Sequence, residues 1–208
     1  MKLSLNEIEA TAKRAVRGAG YPWGVAEEAS KSTRWLCRNG HDGVAALAVL
    51  LDKDLACSAD HRPLATNETW RGAADLCPLV TGAFLSDCAQ SLRSGPVTMQ
   101  RVAVPLLILP FAASAASELR GCVRVEMDGH VAVTDGDNLL CDDMLPELAE
   151  RIAVHTSEIV PSWRPRSAQM NPDPESWDRL AALAHRTYAP ATRESRLRGA
   201  GAGLSDND

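Results

Sequence analysis

Cys122-Val-Arg-Val-Glu-Met-Asp-Gly-His-Val-Ala-Val-Thr134 decides the fold class of this chain. Val123 and Val125 alternate with Arg124 and Glu126, the period-two pattern of a strand buried on one face. Asp128-Gly129 is a favoured two-residue hairpin turn, because both positions of a type I′ turn need positive φ. The pattern predicts strands over Cys122–Met127 and His130–Thr134, paired antiparallel.

Working outward, the flanking segments change period. Met99–Val104 reads as a strand. Pro105–Leu119 reads as a buried, alanine-rich helix ended by Arg120-Gly121, and Leu148–Val160 holds a further strand. Asp135–Asn138 and Asp142-Asp143 read as loop. Thr69–Leu92 reads as mainly helical with a break at Cys77-Pro78, a short strand being the alternative.

The N-terminal quarter is helical. Leu5, Ile8, Ala12, Ala15 and Val16 recur at helical spacing, Ser4 and Asn6 can cap the start, and Gly18 and Gly20 end the run. Pro22 suits the first turn of a second helix that stops at Asn39-Gly40. Gly43–Leu51 is nearly all apolar and so should lie inside. Toward the other end, Ser162–Pro174 carries three prolines and reads as an exposed linker. Asp173 then caps a helix over Glu175 to about Arg186. The expected architecture is a single α+β (mixed α/β) domain over 1–208. It has a helical lobe (1–55), a small, mainly antiparallel sheet (95–160), the linker (162–174), and a C-terminal helix with a glycine-rich tail (175–208).

Composition excludes several function classes. Net charge is −5 and no basic run stands out, so the phosphate neutralisation that drives nucleic-acid binding has no source. The N-terminus lacks the apolar core of a signal peptide, and Val102–Ala116, the most apolar stretch, is too short for a membrane span and carries two prolines. The expectation is a cytoplasmic protein. Six scattered cysteines without a Cys-x-x-Cys pair read as reduced core residues. Cys57 and His61 have ligand-like spacing with no second pair to complete a metal site. Nucleophile elbows, dinucleotide-binding loops and phosphate-binding loops are missing from the sequence.

Two places carry candidate chemistry. His41 sits between Gly40 and Gly43 beside Asp42, where a tight turn would expose an imidazole and a neighbouring carboxylate could tune it as a general base. In the tail, Gly199, Gly201 and Gly203 alternate with small residues behind Ser195, Arg196 and Arg198. Side-chain-free backbone could approach a ligand closely there, with the arginines holding an anion and Ser195 adding a hydrogen bond. The leading functional reading is a small anionic metabolite bound at a site that this tail completes. Two alternatives stay open: an accessory or assembly subunit using the tail as a docking arm to another copy or an enzyme partner, and an enzyme with His41 as base. A homo-oligomer is expected. No cofactor is specified.

The chain resembles a bacterial family of unknown function. The resemblance rests on Gly18-Ala-Gly-Tyr-Pro-Trp-Gly24, Cys77-Pro-Leu-Val-Thr-Gly82, Val104-Pro-Leu-Leu-Ile-Leu-Pro-Phe111 and the terminal Gly199-Ala-Gly-Ala-Gly-Leu-Ser-Asp-Asn-Asp208; it implies no activity. Its first fifty or so residues are also similar to the opening of the malate/L-lactate dehydrogenase family, in which a Ser-His-Gly carries a catalytic histidine. Here Gly40 stands for that serine and Asp42 for that glycine, and the chain is too short for that family's nicotinamide-binding domain.

Overall fold

The computed structural model describes residues 2–64, 69–142, 145–158, 162–163 and 165–188. Its first helix, α1 (Leu5–Gly18), begins at a reciprocal capping box: Ser4 Oγ accepts from the Glu7 amide while the Glu7 carboxylate accepts from the Ser4 amide. α2 (Trp23–Arg38) starts after Pro22, and α3 (Gly43–Asp52) is capped by Asp42. Ile8, Ala12, Ala15 and Val16 of α1 are fully buried, which fixes that helix against α2.

Among the described residues there are seven strands, numbered in chain order from one that precedes α1: β1 (Leu3–Ser4), β2 (Val97–Ala103), β3 (Cys122–Met127), β4 (His130–Thr134), β5 (Leu139–Cys141), β6 (Leu148–Ser157) and β7 (Gln169–Met170). β2, β6, β3, β4 and β5 lie side by side in that order as one antiparallel sheet, and β1 pairs with β7. The β3–β4 turn has φ of 48° at Asp128 and 94° at Gly129, as a type I′ hairpin demands. Met99, Val125, Met127, Ile152 and Val154 are buried on the inner face, on which α5 (Leu109–Leu119) packs. α4 (Pro78–Asp87) covers α5 in turn. On the outer face Glu126 pairs with Arg124 and His155, a solvated network. The result is a mixed α/β single domain with N-terminal helices, a central antiparallel sheet and a C-terminal helix, α6 (Pro174–His185).

Three segments differ from the sequence reading. The break at Cys77-Pro78 is present, but residues 70–76 are irregular, with isolated bridges at Trp70 and Leu76, and not helical. Trp70 and Leu76 form parallel bridges to Met99 and Val102, satisfying backbone groups of edge strand β2 that would otherwise be unpaired. β5, between two stretches read as loop, adds a last short strand. The expected linker is partly anchored: the Ser167 amide donates to Arg38 O at 2.8 Å, and β7 pairs with β1.

Val102–Ala116 is an interior segment, and among the described residues no helix is long and apolar enough to cross a membrane. None of the six cysteines is in a disulfide; Cys37, Cys77, Cys122 and Cys141 are buried.

At the end of α5, Arg120 takes the left-handed conformation (φ 54°) at an exposed position. A β-carbon costs about 1–2 kcal/mol there and glycine removes that cost. Arg120→Gly should therefore stabilise the fold by about 1 kcal/mol, read as a higher urea midpoint with unchanged m-value.

Candidate functional site

α3 ends up with one face uncovered, and that face builds the site. Asp42, Ala45, Ala46 and Val49 follow one another at spacings of three and four, so they line one side of the helix. They form one wall of a cleft of about 570 Å³. Gly40 and His41 close its N-terminal end, and Val104, Leu106, Asp142, Leu145, Pro146 and Glu147 form the facing wall. The described lining is therefore aliphatic in the middle and acidic at the rim, with one imidazole.

Local chemistry explains how the His41 turn is held. Gly40 has φ of 84°, which lets the chain leave α2 sharply; the His41 amide returns a hydrogen bond to Leu36 O at 3.0 Å. Asp42 Oδ1 accepts from the Ala45 amide at 2.9 Å, and Oδ2 accepts from the Asp173 amide at 3.2 Å. One carboxylate thus caps α3 and tethers the start of α6. His41 is half-buried and lines the cleft, whereas the glycine-flanked turn suggested an exposed imidazole. Asp42, expected to tune that imidazole, also accepts from two backbone amides. Asp42→Ala should cost about 1–2 kcal/mol. Weakened hydrogen-exchange protection in the first turns of both α3 and α6 is the signature that separates the double role from a simple cap.

The facing wall comes from distant sequence. Val104 has φ of 43°, an outlier for a β-branched residue and more so before a proline. Its amide donates to Glu147 O at 2.7 Å, so the strain is held by the segment entering β6. Strain of this kind costs about 1–3 kcal/mol and gathers at functional sites. Asp142 Oδ2 lies 3.2 Å from His130 Nδ1. Glu147 faces Lys53, the C-cap residue of α3, with Oε2 and Nζ 3.6 Å apart.

Cys37 lies just before this turn with its thiol near the amides of Gly43 and Val44, yet burial pushes it up to about 11. It is no nucleophile at neutral pH. Among the described residues no group of three or more His, Cys, Asp or Glu side chains is arranged to hold a metal ion. The tail positions Ser195, Arg196, Arg198, Gly199, Gly201 and Gly203 lie outside the described residues. The described chain ends at Tyr188, which accepts from Arg14 Nη1 at 2.5 Å, beside α1. The cleft adjoins the other end of α6, where Asp173 meets Asp42; twelve residues of helix separate the two ends, roughly 18 Å.

Among the described residues, Gly40, His41 and Asp42 of the candidate turn come to the cleft. Val104, Leu106, Leu145, Pro146 and Glu147 carried no local signal, and Asp142 was read only as part of a loop.

Residues 3–83 match the model of a family described as a protein of unknown function (DUF3726). The match takes in α1, α2, α3 and the His41 turn; the facing wall and the terminal glycine motif lie beyond it. No curated protein and no solved structure matches the chain significantly.

Proposed function

We propose that the α3 cleft is a small-molecule binding site. The observation carrying this reading is one cavity of about 570 Å³, within the usual range for ligand pockets, with an aliphatic interior and polar groups convergent at its rim. The charge of that rim selects the ligand. Asp42, Asp142 and Glu147 outnumber any cation lining the cleft, so a protonated amine on an apolar body is the favoured class.

The small anionic metabolite expected from sequence needs Arg196 and Arg198 to reverse the sign of this rim. It stands as the second reading, with the assembly role of the tail beside it. His41 as general base is an extension of the first reading, supported by its position at the cleft; the likeness of Gly40-His-Asp-Gly43 to the dehydrogenase Ser-His-Gly adds only analogy.

Ala45→Trp places an indole in the cleft from its half-buried helical wall. Octylamine should raise the melting temperature of the unmodified chain and leave Ala45→Trp unmoved, with octanoate inert on both. If octanoate binds instead, and binding is lost on removing residues 197–208, the tail-completed anion site replaces this reading. A truncation that changes only the oligomeric state favours the assembly role. Octylamine acting equally on both proteins would remove the cleft from consideration.

A further inference from the structure

The cleft does not end at Glu147. A second cavity of about 520 Å³ is lined by Lys53, Leu55, His61, Ala73, Ala74, Asp75, Arg101 and Ala103. Lys53 continues the α3 face already described, since positions 42, 45, 46, 49 and 53 fall on one stripe of a helix. On the opposite wall Ala103 of the second cavity precedes Val104 of the first. The two spaces therefore abut, and what stands between them is the Lys53–Glu147 ion pair at 3.6 Å, with side chains 35% and 77% exposed. A pair that open to water contributes little and is readily exchanged.

The two ends have opposite electrostatics. The first cavity carries the carboxylates of Asp42, Asp142 and, at its boundary with Lys53, Glu147, whereas Lys53, His61 and Arg101 line the other, with Asp75 as the lone acid among its described lining residues. Arg101 is held over this cavity with φ of 51°, its guanidinium fixed by Asp75 at 2.7 Å and Glu150 at 3.1 Å. Among the described residues, Lys53 is the cation of this cavity whose ion-pair partner, Glu147, is mostly solvated. From Asp42 to Lys53 the helix rises eleven residues, roughly 16 Å.

We propose that the two cavities form one groove for an elongated zwitterion with an apolar middle. Its ammonium group sits at the acidic His41 end and its carboxylate replaces Glu147 on Lys53. This rests on the reading of the α3 cleft as a ligand site and names the ligand class of that site. The aliphatic middle (Ala45, Ala46, Val49, Leu106) takes the methylene chain, and each charged end meets its opposite.

The probe is 12-aminododecanoate, compared by calorimetry with dodecylamine and dodecanoate, each below its micelle concentration. The zwitterion should bind at least tenfold more tightly than either one-ended analogue. Lys53→Met, which keeps the aliphatic stem and drops the charge, should erase that advantage while leaving dodecylamine affinity within twofold. Circular dichroism checks that the variant is folded. Equal affinity of dodecylamine and the zwitterion for the unmodified chain overturns the two-ended groove and leaves the amine cleft standing. Absence of binding by all three probes overturns both.

Discussion

Replacing Gly18 with alanine is expected to pry α6 from α1 and lower the melting temperature by roughly 6–12 °C, the equivalent of about 3 kcal/mol in a chain of this size. A β-carbon at Gly18 would stand 1.9 Å from the carbonyl oxygen of Leu183 and 2.9 Å from its carbon. Both are backbone atoms of α6, so no side-chain rotation relieves the contact and the helices must separate. Alanine is the better helix former by about 1 kcal/mol, a gain too small to offset overpacking of rigid backbone on this scale. Buried Leu180, Leu183 and Ala184 would lose their packing together. Hydrogen exchange should localise the damage to α6, and an unchanged or raised melting temperature would show that the crossing is looser than described.

The second large effect is Gly82→Ala. Here the added carbon would lie 2.2 Å from Cδ2 of Phe111 and 2.5 Å from its Cγ, inside the contact between α4 and α5. Phe111 is 2% exposed, so its ring has little room to yield. The expected cost is about 2–3 kcal/mol. Because the obstacle is a side chain, the test is a double variant: Phe111→Leu should restore at least half of the loss when combined with Gly82→Ala. Additive losses would assign the effect to the helix itself and contradict the packing account.

These two glycines mark the boundary between what is local and what is not. The Asp128-Gly129 hairpin and the Asp173 cap are written within a few residues each and stand in the structure where the pattern puts them, and of the two cap candidates for α1 the structure uses Ser4. Residues 70–76 read as helical because Leu76, Leu79 and Val80 suit a helical face, but Trp70 and Leu76 take backbone partners on β2, a strand more than twenty residues away. β5 escaped notice since three residues cannot display a period. The site divides in the same way. Glycines around His41 and Asp42 announce a turn in any chain, whereas the wall facing them is assembled by the β2–α5 and β5–β6 connections. Nothing local to Leu106 or Pro146 says that α3 will lie opposite, and Lys53 gains its meaning only from Glu147 across the groove.

That groove is the centre of the account, and a ¹H–¹⁵N correlation spectrum titrated with octylamine tests it most directly. Amide signals of Ala45, Ala46, Val49, Val104 and Leu106 should move together and saturably, with the outer sheet face around Arg124 and Glu126 unaffected. Shifts scattered over the surface, or none at the α3 face, would contradict a binding site there.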